Sequence, residues 1–212
     1  MKLIVKGKEP LEWKKFRRTP GTDYESKPEL RKALYSEQGG LCAYCMRRLS
    51  DEFNRDILTQ NKIDHIKPRD FCTRDERMSY DNMVLCCNGT IQGTSENDTH
   101  CDTHKGSTIH QISPLRLCCI DSLSYTSRGK IKSSNITWDK ELNEVLNLNQ
   151  KLLIENRKSF LMKIINWLSK NPSVAQINNK IEFYQSKNES GLYPEYCEVA
   201  VWRLKKSLRS RH

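Results

Sequence analysis

The sequence lacks any long hydrophobic run. No stretch approaches the ~18–20 apolar residues that a membrane-spanning helix needs, and the apolar run at residues 3–5 is far too short for a secretory signal peptide. We therefore expect a cytoplasmic protein with no membrane partner. Cytoplasmic thiols are kept reduced, and an odd number of cysteines, nine, cannot all pair. Disulfides are not expected, and metal binding becomes the leading explanation for some of these cysteines.

Apolar residues are also scarce overall. Only 36% of the 212 residues are hydrophobic, whereas 29% are charged. Such a lean core predicts help from a bound metal, a partner protein or both. The 36 Lys and Arg residues exceed the 26 Asp and Glu residues and leave a net charge of +10. This excess favours a polyanionic partner, most often nucleic acid, although a ribosomal or merely basic protein has a similar composition.

Periodicity and turn residues divide the chain into segments, with no internal repeat. The first is a basic N-terminal arm with a lead-in helix, and the second holds most of the Cys and His residues. The third is an irregular connector, and the last has helical periodicity. In order, the segments are residues 1–38, 39–110, 111–145 and 146–212.

Helices are predicted at both ends of the chain. Ser26 and Glu29 have the spacing of a capping box, and a glycine pair at residues 39–40 ends the helix that they begin. After residue 146, apolar stripes at helical spacing predict three helices. Residues 13–18 interleave aromatic and cationic side chains, which suits either nucleic-acid contacts or a solvated face with its aromatic residues in the core.

Two groups of cysteines have the spacing of a zinc site. Cys42 and Cys45 form a C-x-x-C knuckle, whose tight turn brings both sulfurs to one side. Cys86, Cys87 and Cys101 form the second group. Neighbouring residues of an extended strand point in opposite directions, so only one of Cys86 and Cys87 is expected to bind metal. Four thiolates would complete the shell of a structural zinc ion, whose binding energy contributes to folding.

A carboxylate and an imidazole lie side by side between these groups. Asp64 can hold Mg²⁺ through hard oxygen contacts, and His65 can take a proton from water near neutral pH. Asn82 is a candidate to orient the imidazole, and His104 to supply a second ligand to the catalytic ion. An isolated Asp-His pair is most often a surface pair, and Asn82 alone is typical of a turn. The order of the whole set favours catalysis.

This ordered set resembles the zinc-stapled HNH (ββα-metal) nucleases. The pattern is carried by Cys42-x-x-Cys45, Asp64-His65-Ile66-x-Pro68, Asn82 and the cysteine five residues after it. That offset selects Cys87 over Cys86. Other parts of the chain are also similar to the Septu-type (PtuB-like) nucleases of bacterial anti-phage defence: residues 37–46, 80–82, 100–101, 105–106 and 146–149, followed by Leu153 and Arg157.

The resemblance implies an α+β fold. Its centre is a zinc-stapled ββα-metal core at residues 39–110, with a strand pair carrying His65 and Asn82 and a helix that begins near Asp102. It implies a metal-dependent endonuclease with a structural Zn²⁺ and a catalytic Mg²⁺ or Mn²⁺. DNA is the expected substrate, with RNA, including tRNA, as the alternative.

The same resemblance implies protein partners. These are an ABC-class, SMC-like ATPase of the same defence system and, in some systems, a retron reverse transcriptase with its RNA and DNA. The C-terminal helical region or the basic arm would dock the ATPase. Packing of that helical region on the nuclease core is the alternative.

The second ligand of the catalytic ion stays open. The last two zinc cysteines are fourteen residues apart instead of forming a second C-x-x-C. The family pattern favours His104, and the rings of His65 and His104 are then expected to flank one cleft. Asp102 directly follows the last cysteine and is the alternative. His100 is a third candidate, with a structural role favoured.

Basic side chains around these motifs are candidate phosphate contacts, with a solvated face as the alternative for each. They are Arg47, Arg48, Lys67, Arg69 and Lys105. Two other functions remain open: a non-catalytic, zinc-containing nucleic-acid-binding module, and a stand-alone restriction-type HNH nuclease. A binding module would not need Asp64, His65, Asn82 and His104 together.

Overall fold

The computed structural model of the chain describes residues 1–51, 61–90 and 98–211. Within them the fold is α+β, as expected, with two small antiparallel sheets between helical ends. Residues 52–60 and 91–97 belong to the predicted core segment and lie outside the described residues. None of the described helices combines the length and the apolar character needed to cross a membrane.

The helices and strands alternate irregularly along the chain. The helices are α1 Leu11–Arg18, α2 Pro28–Glu37, α3 Arg74–Arg77, α4 Asp102–Lys105, α5 Leu117–Asp121, α6 Ile136–Glu144, α7 Lys151–Leu168, α8 Val174–Gln185 and α9 Cys197–Arg209. The strands are β1 Asn61–His65, β2 Met83–Cys87, β3 Leu123–Tyr125 and β4 Ile131–Ser133.

The β1–β2 pair lies at the centre of the fold. The strands are antiparallel, with Asp64 opposite Val84 and His65 opposite Met83. All five residues of β2 are apolar and buried, as is usual for a strand that is covered on both faces. The pair therefore places Asp64 and His65, at the end of β1, in the same sheet as Cys87, at the end of β2.

Helix α2 is joined to this sheet by one buried side chain, Gln38, which is 4% exposed. Its Nε2 donates to the carbonyl oxygens of Leu41 and Leu85, both at 2.8 Å. Its Oε1 accepts from the Leu85 N–H at 2.7 Å. Because these partners lie in the cysteine knuckle and in β2, Gln38 sets the position of the knuckle against the sheet.

The start of α2 differs from the prediction. The capping residue is Lys27, with Pro28 in the first turn, whereas the Ser26 hydroxyl accepts a hydrogen bond from Nε of Arg31 at 2.8 Å. Proline suits the first helical position because its fixed φ is already helical and its missing N–H is not needed there. The expected capping box at Ser26 and Glu29 is therefore wrong.

The C-terminal helices α7, α8 and α9 form where the apolar stripes predicted them. Their inner faces make a cluster of their own, which includes Ile164, Ile181 and Leu204. Leu153 and Leu161 of α7 also belong to the main core, together with the cysteine knuckle. The helical region thus packs on the cysteine knuckle and, through α9, on β3.

Helix α7 is also fixed to the connector by Arg157, which is 2% exposed. Its guanidinium donates to the carbonyl oxygens of Gly129 at 2.7 Å and Leu148 at 2.6 Å. Gly129 has a φ of +85°, and a Cβ there would lie 2.3 Å from the Ile154 carbonyl oxygen. Only glycine allows this close approach of the β3–β4 turn to α7.

Gln38→Leu tests the link between knuckle and sheet. The change removes the side-chain partner of the buried Leu41 carbonyl and of the buried Leu85 N–H, and we expect it to lower the free energy of unfolding by about 3 kcal/mol. Gln185→Leu, at an exposed position of α8, is the matched control and should change it by less than about 0.5 kcal/mol. Urea unfolding with zinc present measures both, and equal effects would contradict the assigned role.

Candidate functional site

Four buried cysteine thiols meet at one point. The Sγ atoms of Cys42, Cys45, Cys87 and Cys101 all lie within 4.8 Å of one another. Cys42 and Cys101 are 3.9 Å apart, and Cys45 and Cys87 are 3.7 Å apart. Bonds of ~2.3 Å in a tetrahedral zinc–thiolate site put neighbouring sulfurs about 3.8 Å apart. The cluster therefore has the size and the donors to hold a single metal ion such as zinc.

Local backbone geometry aims these thiols inward. In the knuckle, the Cys42 N–H donates to the Arg47 carbonyl at 2.9 Å, and the Met46 N–H donates to the Cys42 carbonyl at 3.1 Å. Met46 and Cys101 both have positive φ angles, of 61° and 57°. Residues other than glycine adopt this region rarely and at a cost. The backbone is therefore strained at one cysteine of the cluster, Cys101, and at Met46, which follows Cys45.

Neighbours of the four cysteines take different roles. Cys86 is buried but, among the described residues, is not a member of the cluster, as expected from its place beside Cys87 in β2. The Nδ1 atom of buried His100 lies 3.2 Å from the Cys101 sulfur and 3.9 Å from that of Cys87. Burial lowers the pKa of His100 to about 4, so the ring is neutral and can donate one N–H to a thiolate.

A polar cleft of about 290 Å³ lies beside the cluster, where β1 ends and α4 begins. The charged and titratable residues of its wall are Lys62, Asp64, His65, Arg69, Asp70, Asp102 and Lys105. The cleft thus combines carboxylates, an imidazole and cations on one surface.

The imidazole of His65 is held in one tautomer. Its Nε2 lies 2.9 Å from the Arg77 carbonyl oxygen. A carbonyl can only accept, so Nε2 carries the proton and Nδ1 has the free lone pair. Burial lowers the pKa of His65, which favours the neutral ring at neutral pH. His65 is therefore prepared to act as a base through Nδ1.

Asp64 is fixed from both sides. Its Oδ2 accepts a hydrogen bond from the Tyr44 hydroxyl at 2.5 Å, and its Oδ1 contacts the Lys105 ammonium group at 2.5 Å. Lys105 also donates to the His65 carbonyl oxygen at 2.7 Å and is itself buried. These contacts orient the carboxylate, and Tyr44 links it directly to the cysteine knuckle.

Asp102 completes a pair of carboxylates. Burial and the nearby Asp64 carboxylate raise the pKa of Asp102 to about 7, because two negative charges in one partly buried place repel each other. Oxygen donors of this kind are the ligands that Mg²⁺ and Mn²⁺ prefer. Asp64 and Asp102 are therefore the two carboxylates of the cleft that could hold a divalent cation together.

His104 is placed differently from the expectation. Among the described residues that line the cleft, Asp102 is present and His104 is not. The Nδ1 atom of His104 lies 3.3 Å from the Thr99 hydroxyl. Residues two apart on a helix point about 200° apart, so α4 can turn only one of them towards Asp64. Helix α4 thus turns Asp102 towards Asp64 and His104 towards Thr99, and His104 as a ligand of the catalytic ion stays a prediction.

Asn82 contacts backbone instead of the His65 ring. Its Oδ1 accepts from the Lys67 N–H at 2.8 Å, and its Nδ2 donates to the carbonyl oxygens of Lys67 at 3.1 Å and Glu76 at 3.3 Å. Asn82 therefore joins the end of β1 to α3. Helix α3 also contains Arg77, whose carbonyl oxygen binds the His65 ring. No sequence signal marks a backbone carbonyl of this kind.

The five cations predicted to contact nucleic acid lie in different surroundings. Arg69 is exposed on the cleft wall, whereas Lys105 is buried there against Asp64. Lys67 is exposed and forms an ion pair with Glu76. The Arg48 guanidinium donates to backbone carbonyls of residues 39 and 193, and Arg47 lines a separate cavity beside α7 and α8.

Comparison with known proteins adds no relative. No protein-family model matches the chain, and no curated protein is significantly similar to it. Its function is therefore inferred from the cluster, the cleft and the sequence motifs.

Adjacent cysteines allow a sharp test of the metal site. Cys87→Ala removes one of four sulfur donors, and we expect zinc affinity to fall by more than about 100-fold. A residue that contacts only a metal-binding side chain, and not the metal itself, usually changes the affinity by less than this. Cys86→Ala, a buried neighbour outside the cluster, should retain one zinc ion per chain. Competition with a chromogenic chelator measures the affinity, and loss of zinc from both variants alike would contradict the assignment.

Proposed function

We propose that the chain is a metal-dependent endonuclease of the HNH (ββα-metal) type that hydrolyses phosphodiester bonds in nucleic acid. The observation that carries the proposal is a neutral imidazole, His65, on the same cleft wall as the carboxylates of Asp64 and Asp102. The β1–β2 pair followed by α4 agrees with the order of elements in a ββα-metal core. The four-cysteine cluster agrees with its structural zinc.

Asp64 and Asp102 are the residues that would hold the catalytic Mg²⁺ or Mn²⁺. When bound, the ion supplies positive charge that stabilises the phosphate and the leaving oxygen. The adjacent Tyr44 and Lys105 keep the Asp64 carboxylate in position. Both contacts are made inside the protein, so the carboxylate does not have to be ordered when the substrate arrives.

His65 is the general base. Its Nδ1 accepts a proton from the attacking water, and the Arg77 carbonyl stabilises the resulting imidazolium through the Nε2–H. In-line attack on phosphorus then breaks the bond to the 3′ oxygen, which takes up a proton from water, and leaves 5′-phosphate and 3′-hydroxyl ends. Lys62 and Arg69 on the cleft wall supply positive charge for neighbouring phosphates.

The sequence resemblance supports a narrower role in anti-phage defence. In that role the nuclease works with an ABC-class, SMC-like ATPase and, in some systems, with a retron. A non-catalytic zinc module that binds nucleic acid would explain the cysteines and the net charge of +10. It would not explain why two carboxylates and an oriented imidazole are gathered in one cleft.

Cleavage assays with paired variants test the proposal. His65→Ala should reduce the rate by about 10²–10⁴-fold because the general base is lost, and Asp102→Ala should cause a comparable loss through the ion. His104→Ala should retain most of the activity. Plasmid DNA and RNA are incubated with Mg²⁺ or Mn²⁺, with an EDTA control, using protein co-expressed with the product of the adjacent gene.

Each result of this assay is decisive. Undiminished cutting by folded His65→Ala protein would refute the nuclease mechanism. Loss of activity in His104→Ala with full activity in Asp102→Ala would move the second ligand to His104.

A further inference from the structure

The imidazole of His65 needs more than one contact to stay in place. Within the described residues its ring makes a single hydrogen bond, from Nε2 to the Arg77 carbonyl. One hydrogen bond fixes one atom, and the tilt of this buried ring about that atom is set by the groups packed against it. The second contact is the ring of Tyr24, which meets the imidazole edge-on with centroids 4.5 Å apart and planes at 83°. Such T-shaped contacts are attractive and directional.

Tyr24 is itself held by a buried aromatic residue, Trp13, which in turn packs against the half-buried Phe16. Trp13 packs edge-on against Tyr24 at 6.2 Å, and Phe16 lies 5.6 Å from Trp13. Trp13 is 1% exposed, and its indole N–H donates to the Met78 carbonyl at 3.1 Å. The aromatic residues of the basic arm therefore form a series that ends on His65, instead of facing solvent for nucleic-acid contacts.

The segment around Tyr24, residues 17–25, is the N-terminal strap, and it is fastened to α3. The Arg77 guanidinium pairs with the Asp23 carboxylate, with nitrogen–oxygen distances of 3.0 and 3.2 Å. Arg74 donates to the Thr22 carbonyl at 2.7 Å and to the Arg17 carbonyl at 3.1 Å. Arg77 therefore binds the strap through its side chain and His65 through its carbonyl oxygen. Because the strap is held on α3, the two groups that contact the imidazole, the Arg77 carbonyl and the Tyr24 ring, are fixed relative to each other.

Tyr24 also touches the cleft's exposed cation. The Arg69 guanidinium lies over the Tyr24 ring, 5.6 Å from its centroid. One aromatic ring thus lies between the proposed base and the cation proposed to meet phosphate.

We propose that Tyr24 is a positioning residue that sets the orientation of both His65 and Arg69. This inference rests on the proposed nuclease function. The strap holds the imidazole so that Nε2 stays on the Arg77 carbonyl and Nδ1 stays available to the cleft. The phenol oxygen is not required, because the contacts to both neighbours are made by the ring.

Substitutions at Tyr24 separate ring packing from other effects. Tyr24→Leu should lower kcat by about 10–100-fold, since small misplacements of a catalytic group are costly, and should raise KM because Arg69 loses its support. Tyr24→Phe keeps the ring and should restore both values. Tyr184→Leu removes a half-buried tyrosine of α8 and is the matched control, expected to behave like the unaltered protein.

A second readout follows the ring without any cleavage. Nitrogen-15 NMR of the His65 side chain, assigned with the His65→Ala spectrum, should show one Nε2–H tautomer in the unaltered and Tyr24→Phe proteins. Tyr24→Leu should give mixed tautomers. If Tyr24→Leu does not fold, Asp23→Asn weakens the strap at an exposed position and should shift the same signal and lower kcat in the same direction.

The outcomes distinguish this inference from the nuclease proposal. Unchanged kcat and an unchanged tautomer in folded Tyr24→Leu protein, or in Asp23→Asn when Tyr24→Leu is unfolded, would overturn the positioning role. A Tyr24→Phe variant as impaired as Tyr24→Leu would also overturn it. Full cleavage by His65→Ala would instead refute His65 as the general base, and absence of metal-dependent cleavage by the unaltered protein would refute the nuclease function. In both cases the tautomer measurement would still report whether Tyr24 orients the ring.

Discussion

Four thiols from separate parts of the chain have to meet at one buried point, and the rest of the site depends on that meeting. Cys42 and Cys45 lie in the knuckle, Cys87 is the last residue of β2, and Cys101 directly precedes α4. Packed together without a metal, four thiols contribute little that could offset the positive φ of Cys101. A bound ion would join all three parts, and its binding energy would become folding energy. This suits a chain with few apolar residues.

The cluster and the cleft are built from adjacent residues. Tyr44 lies between two of the cluster cysteines and holds the Asp64 carboxylate, while Asp102 directly follows Cys101. An ion bound by the four thiols would therefore help to position Asp102, and also Asp64 through its hydrogen bond with Tyr44. The cysteine cluster and the cleft are thus linked by one hydrogen bond and by one peptide bond.

The features predicted correctly from the sequence are those that depend on residues close together in the chain. Apolar stripes predicted α7, α8 and α9. Spacing predicted the cysteine site, and the family resemblance selected Cys87 over Cys86 among the four cysteines that the structure gathers. The choice between Asp102 and His104 depends on how α4 is rotated against β1, which no local pattern records. The same holds for the Arg77 carbonyl, which has no sequence mark, and for Tyr24, whose contact with His65 joins residues far apart in the chain. The start of α2 was missed because Pro28 outweighs the cap expected at Ser26.

The proposed function requires one divalent cation to bind between Asp64 and Asp102, in the cleft that holds His65. Anomalous diffraction from crystals of the full chain soaked in Mn²⁺ tests it most directly. We predict a manganese peak within coordination distance of both carboxylates, separate from a zinc peak inside the four-cysteine cluster. A manganese peak at His104, or none in the cleft although the zinc peak is present, would contradict the account.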